Sequence, residues 1–252
     1  RDAEALDSIT KGIEYAKKCN AIRFESIGYI YLAELFVKQK NYQEAFRVKL
    51  LELESNKKTG DTEGIFRSLL YLSLLAKQLN KIEQAEDFMK QALEISEKSG
   101  DSNVRGSALI FMGNIYFGKK KHSESIVYYK KAFELFKKTG EKRKVAACLY
   151  KIAQNLKALG DQQEVDGYYR ESFELFLSLG SIIELRDIAI TYGNYLVSKG
   201  RDAEALDVYI KAIDAFIEWR DKLPVNTGKD RLVDQKDNRL LFEGAITLLI
   251  KF

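Results

Sequence analysis

Two cysteines and one histidine are the residues of this chain whose chemistry could make a nucleophile: Cys19, Cys148 and His122. A thiol attacks once a neighbouring imidazole has taken its proton, which requires the two groups within hydrogen-bond reach. Cys148 and His122 fall on consecutive helical segments joined at Gly140. In such a hairpin Cys148 lies beside position 132, leaving His122 roughly 15 Å along the axis. The spacing predicts no dyad, only a surface histidine and a packed thiol. His122 has no partner at metal-ligand spacing, so no metal site is expected. The glycines stand singly at segment ends and do not cluster as a phosphate loop requires. Carboxylates such as Glu83, Glu86 and Glu94 sit beside lysines on expected solvent faces, where such pairs add about a few tenths of a kcal/mol. The reading is non-enzymatic, with no cofactor.

A second set of residues suits recognition. Asn114, Gln154 and Asn194 recur at forty-residue intervals on the outward faces of amphipathic segments. A carboxamide carries both a donor and an acceptor, so it can bind the main chain of an extended peptide whatever its sequence. Ile110, Phe117, Tyr150, Lys151, Lys157, Ile190 and Val197 flank these amides and would select side chains. The same register upstream holds Glu34 and Leu74, within a more apolar stretch of Ile27, Ile30, Val37, Leu70 and Leu74. That stretch suits helix docking or packing against a further part of the chain. Basic residues gather at Lys119–Lys121 and again at Lys137, Lys138, Lys142, Arg143 and Lys144. A helix of about 25 Å separates the two groups, so they form no continuous stripe and disfavour nucleic acid.

The elements that position these residues are repeats. Ala5, Ala45, Ala85, Ser125, Val165 and Ala205 are spaced by forty, as are Ala33, Ser73, Gly113, Ala153 and Gly193. Gly60, Gly100, Gly140 and Gly180 mark turns in the same period. A period between twenty and fifty residues is the mark of a solenoid, in which each unit buries its apolar face only against neighbours. Between Ser102 and Glu141, the residues Ala108, Leu109, Met112, Gly113, Ile115 and Tyr116 form one helical face. Ser125, Ile126, Tyr129, Ala132, Phe133 and Phe136 form a second, closed by Gly140. One proline, Pro224, leaves the helices uninterrupted. With 41 basic and 37 acidic side chains the net charge is +4, too balanced to direct the chain to nucleic acid or membrane. No apolar run reaches the length of a membrane span. Neither a signal peptide nor a disulfide spacing is visible, so the expected location is cytoplasmic.

Gly113, Tyr116, Ser125, Tyr129 and Ala132, and again Gly193, Leu196, Ala205, Tyr209 and Ala212, carry a resemblance to the tetratricopeptide repeat family. Ala153, Leu156, Tyr169 and Ser172 follow the pattern, as do Ser73, Ala76, Ala85, Met89 and Ala92. Ala33, Phe36 and Ala45 open another copy, but Lys49 and Glu52 stand where apolar residues are expected, which predicts a rotated or irregular second helix there. The resemblance implies an all-α, right-handed superhelix of antiparallel hairpins, with first helices lining a concave groove. It implies protein or peptide binding there, by groove amides. The basic clamp some relatives use on C-terminal carboxylates is unmatched, because Ile110 stands where a lysine is needed.

The units expected are a half repeat at 1–20, then repeats at about 21–61, 62–101, 102–141, 142–181 and 182–222. Arg1 to Asp7 repeats Arg201 to Asp207 residue for residue, which a recent duplication and an artefact both explain. Both ends read as cuts through a longer protein. Residues 223–252 are expected to form a loop, through Leu223 to Gly228, and a divergent C-terminal helix bearing Leu232, Leu240, Leu241, Ala245, Leu248 and Leu249. This tail resembles the junction between tetratricopeptide repeats and a CHAT peptidase, through Ile217 to Arg220, Arg231, Leu241 to Glu243 and Ile246 to Leu249. That resemblance implies the regulatory arm of a peptidase domain in the same chain. A structural self-association module and a nucleic-acid adaptor are the alternatives.

Overall fold

The structure is a computed structural model, and it describes residues 2–161, 164–222 and 236–250. Among these residues every regular element is an α-helix. The chain divides into two compact units, one ending at Lys121 and the other starting at His122. The first holds α1 (Asp2–Lys18), α2 (Ile22–Lys38), α3 (Tyr42–Thr59), α4 (Thr62–Gln78), α5 (Ile82–Ser99) and α6 (Ser102–Gly118). The second holds α7 (His122–Thr139), α8 (Lys142–Leu159), α9 (Val165–Ser178), α10 (Ile182–Ser198), α11 (Asp202–Asp221) and α12 (Lys236–Leu249). Within each unit every helix packs on the next in sequence.

The turns follow a rule stricter than the glycines suggest. Asn20, Lys40, Gly60, Asn80, Gly100, Lys120, Gly140, Gly160, Gly180 and Gly200 all adopt positive φ, one at every twentieth residue. Each ends a helix in the left-handed conformation, which satisfies its last carbonyls and reverses the chain. For example, the N–H of Lys121 donates to the Tyr116 carbonyl at 2.9 Å. Glycine takes this conformation freely, whereas Lys40 and Lys120 pay for a Cβ there. Several following helices are capped at once: the Asp61 carboxylate accepts from the Gly64 N–H at 2.9 Å, and Asp101 accepts from Asn103 at 2.7 Å.

The small-residue ladder is the core seam. Ala45, Ala85, Ser125, Val165 and Ala205 are all wholly buried. So are the second-helix residues Met89, Tyr129 and Tyr169, with Tyr209 nearly so. Gly193 leaves the room Tyr209 needs, since a Cβ there would lie 2.4 Å from the ring.

Lys49 and Glu52 correct the expectation of an irregular helix. The helix α3 is continuous and in register, with Lys49 4% and Glu52 2% exposed in the core. Their charges meet at 2.5 Å, and the Lys49 ammonium lies 4.5 Å from the Tyr71 ring centroid. Ser68 is within 3.1 Å of Glu52, the Asn56 amide donates to Ser68 at 3.0 Å, and Ser26 donates to Asn56 at 2.7 Å. A complete set of buried partners replaces the apolar contact, so no rotation is needed.

In the tail, the loop at Leu223 to Gly228, together with Arg231 and Leu232, lies outside the described residues. The terminal helix is present, with Leu241, Ala245 and Leu248 buried as expected. Leu240 and Leu249, however, are about half exposed (45% and 56%), because they fall off the packed stripe. The helix packs on α10 and α11, with Gly244 against the Tyr209 ring, where a Cβ would come within 2.8 Å.

Replacing Lys120 with Gly is expected to stabilise the protein by about 1 kcal/mol, and Gly140→Ala to destabilise it by a similar amount. Nothing lies within 4 Å of a Cβ at Gly140, so the penalty there is backbone alone. Urea titration checks both signs.

Candidate functional site

The second unit carries most of the residues that the sequence singles out for recognition. The Tyr150 hydroxyl on α8 and the Thr191 hydroxyl on α10 are 2.9 Å apart and tie the two first helices together. Thr191 in turn donates to the Asp187 carbonyl at 2.8 Å. Next to Tyr150, the Lys151 ammonium donates to the Gln154 carbonyl oxygen one turn on at 3.2 Å and lies 5.5 Å from the Tyr150 ring centroid. Lys157 sits 5.9 Å and Lys199 5.6 Å from the Tyr195 ring centroid. These contacts give the α8–α10 face an aromatic floor with three ammonium groups on it, the arrangement favoured by the negative faces of the rings.

Ile190, Asn194 and Val197 open in a different direction. They line a cleft of about 270 Å³ with Tyr209, Leu240, Glu243, Gly244, Thr247 and Leu248, so its far wall is α12. Asn194 is exposed, and its carbonyl oxygen accepts from the Tyr209 hydroxyl at 3.0 Å. The sequence suggests an amide offering donor and acceptor equally. The structure engages the carbonyl oxygen internally with the Tyr209 hydroxyl. Gln154 is similar, with its oxygen drawn to Lys151. In the first unit, Ile110, Asn114 and Phe117 share α6 and are all half-buried.

Residues outside the sequence reading complete the face. Thr191 and Tyr195 belong to it, and Thr191 was discoverable, since Tyr31, Tyr71, Phe111, Lys151 and Thr191 form another forty-residue ladder. Beneath them Tyr169 packs against Tyr150, Tyr192 and Tyr195, with centroids 6.2, 5.7 and 5.6 Å away. Its hydroxyl is buried without a hydrogen-bond partner among the described residues, and burial pushes its pKa upward.

The thiol and imidazole remain separate. Cys148 is fully buried, which pushes its pKa up to about 12 and keeps it a thiol. His122 is not the surface residue expected. It is half-buried, with Nδ1 3.0 Å from the Asn155 carboxamide oxygen. Asn155 lies two turns beyond Cys148, or about 10 Å along the helix. Among the described residues no group of three His, Cys, Asp or Glu is placed to hold a metal ion. No described helix is long and apolar enough to cross a membrane.

Glu86 also departs from its expected place. Glu83 and Glu94 are exposed, but the Glu86 side chain is largely covered and gathers Lys119 at 2.5 Å, Lys90 at 2.8 Å and the Tyr116 hydroxyl at 3.0 Å. Lys119 and then Lys90 hold its carboxyl down at about 2. The basic groups are thereby partly spent: Lys119 on Glu86, Lys121 over the Tyr116 ring, and Arg143 on Glu184 at 2.5 Å.

Family models of the tetratricopeptide repeat match residues 66–99 and 105–178. No curated protein sequence matches the chain. Among solved structures it is similar to BtubC from P. vanneervenii, at 15% identity and a TM-score of 0.74, covering 89% of this chain and 94% of that one. A STAND ATPase with a tetratricopeptide repeat sensor, from Pyrococcus horikoshii, matches at 19% identity and a TM-score of 0.73 over 98% of this chain and 37% of that one. YrrB, a TPR protein with an unusual peptide-binding site, matches at 19% identity and a TM-score of 0.51, covering 84% and 93%. At these identities the likeness shows the fold, a solenoid of helical hairpins.

Tyr169→Phe keeps the ring and removes the unpaired hydroxyl, so it is expected to raise stability by about 1 kcal/mol in urea titration. Glu86→Gln is expected to lower the melting temperature at pH 7. Because the folded carboxyl titrates near 2 against an ordinary 4.5, its contribution is present above pH 4.5 and lost as pH falls toward 2. The melting curves of the two proteins should therefore converge across that window. A gap that persisted to its acid end would show that Glu86 acts by packing and not by charge.

Proposed function

For a chain that belongs to the tetratricopeptide repeat family, we propose a protein-interaction scaffold that binds an extended peptide on its first helices and performs no chemistry itself. The observation that carries this is the α8–α10 face, where Gln154, Lys151 and Lys157 surround Tyr150 and Tyr195 and the two helices are joined by the Tyr150–Thr191 bond. Ile190 supplies an apolar contact and the Asn194 amino group a donor to a ligand carbonyl. In the first unit Asn114, Ile110 and Phe117 take the same roles on α6. The repeats at about 21–61, 62–101, 102–141, 142–181 and 182–222 are the units that repeat this surface. YrrB, with its peptide-binding site on the same fold, supports the reading.

A finer version makes the array the sensing arm of a larger signalling protein. The STAND ATPase uses such repeats as a sensor, and this chain spans 37% of it. The resemblance of Ile217 to Arg220 and of Ile246 to Leu249 to a CHAT junction points to a peptidase as the effector of that arm.

Peptides selected from a random display library against the full chain provide the test. Gln154→Ala should weaken a selected peptide that binds the second unit, and Asn114→Ala one that binds the first, each about tenfold in titration calorimetry, the loss of one or two hydrogen bonds. Asn194→Ala is paired with Tyr209→Phe, so that no hydroxyl is orphaned, and should do the same. Equal affinity across all three, with unchanged circular dichroism, removes the amides from the binding surface.

A further inference from the structure

The buried polar set of α3 has a counterpart in the other repeats, and apart from Ser96 and Ser172 the counterpart is apolar or aromatic. Position 49 aligns at forty-residue spacing with Met89, Tyr129, Tyr169 and Tyr209, and position 52 with Ala92, Ala132, Ser172 and Ala212. Position 56 aligns with Ser96, Phe136, Phe176 and Phe216. The rings of Phe136, Phe176 and Phe216 are buried. In α3 the same three positions carry Lys49, Glu52 and Asn56, all in the core. An ion pair and an amide are costly to bury and stabilise a fold less than the rings they replace. Folding therefore does not account for them.

What the substitution creates is space. Where a phenylalanine would close the repeat, the shorter Asn56 leaves a cleft of about 470 Å³ between α2 and α4. Its floor is Ser26, Glu52 and Asn56, its walls include Ile27, Ile30 and Gly64, and Arg23 and Arg67 stand at its rim. Gly64 lets α4 approach the Asn56 amide closely, since a Cβ there would lie 2.8 Å from it. Both carboxylates that line it already have partners within the fold. Glu52 is held by Lys49 at 2.5 Å, and Asp61 accepts from the Gly64 N–H. Arg67 meets Glu63 only at 3.5 Å with both side chains in solvent, a weak pair that a ligand can displace. Two arginines thus stand at the rim beside an Asp61 carboxylate turned to its own helix cap, while Glu52 keeps lone pairs for a donor and Asn56 is anchored from both sides.

We infer that this cleft in the first unit is a binding site for a small carboxylic acid that also bears a hydrogen-bond donor. The carboxylate is met by Arg23 and Arg67 at the rim, and the donor by the Glu52–Asn56 floor. The volume is in the range of small-ligand sites, and a guanidinium pair is the side-chain chemistry best matched to a carboxylate. A free acid and the acidic side chain of a peptide present the same group, and the experiment separates them. The site shares no residue with the peptide face of the second unit.

The test is calorimetric titration of the full chain with malate, succinate, N-acetylglutamate and an amidated acidic tetrapeptide. Saturable binding of malate or N-acetylglutamate, tighter than succinate, is the expected result. Binding by the tetrapeptide alone would assign the same pocket to a protein side chain and overturn the small-acid assignment. Arg23→Gln and Arg67→Gln are surface changes that should each weaken binding about tenfold, the effect of losing one charge-assisted bond. Asn56→Phe, combined with Lys49→Tyr and Glu52→Ala to restore the apolar trio, should abolish binding and raise the melting temperature. The inference fails if none of the four probes binds saturably, or if binding survives both arginine changes undiminished.

Discussion

The second-helix ring and the small residues that receive it are the contact on which the rest depends. Tyr209 can lie in its slot only because Gly193 on one side and Gly244 on the other have no side chain to meet it. The ring therefore fixes how close α11 comes to both α10 and α12. That closeness turns Asn194 outward, brings the Tyr209 hydroxyl to its amide, and makes α12 the wall of the neighbouring cleft. A solenoid has no central core to average out errors, so each such slot holds its own neighbours in register.

The slot is constant and its occupant is not, and the variation carries the functional differences along the chain. Tyr209 finds an amide for its hydroxyl. Tyr169, one repeat earlier, faces Tyr192 and Tyr195 and has no partner for its own among the described residues. That arrangement builds the aromatic floor under Lys157 and Lys199. Lys49 takes the slot in α3 and needs Glu52, Ser68, Asn56 and Ser26 to make its burial tolerable. One position thus yields a donor to an amide, a ring stack or a polar network, by changing a single side-chain type.

Helix ends were legible because they are local. Glycines mark six of these ten turns, and the same left-handed geometry recurs at Asn20, Lys40, Asn80 and Lys120, where composition alone hides it. That Gln154 and Asn194 lie on the outer stripes of their own helices was legible from register, since polar residues at a fixed period mark such a stripe. Glu86 and His122 were misread for a common reason. Each looks solvent-facing on its own helix, yet each is covered by a residue about thirty-three positions away, Lys119 for one and Asn155 for the other. Periodicity within one helix does not report which of its edges the next hairpin will overlap.

By itself the sequence determined the period, the helices, the turns and the slots, because these follow from the 3.6-residue repeat and from backbone sterics acting over a few residues. Only the tertiary structure decided which polar groups are spent internally and which remain for a partner. The Asn194 oxygen is taken by Tyr209, Glu86 by its lysines, and Lys49 by Glu52, while α12 closes one side of the Asn194 cleft. Hydrogen bonds and ion pairs form or fail over tenths of an ångström, and those distances are set by how helices far apart in sequence pack, not by the pattern within any one of them.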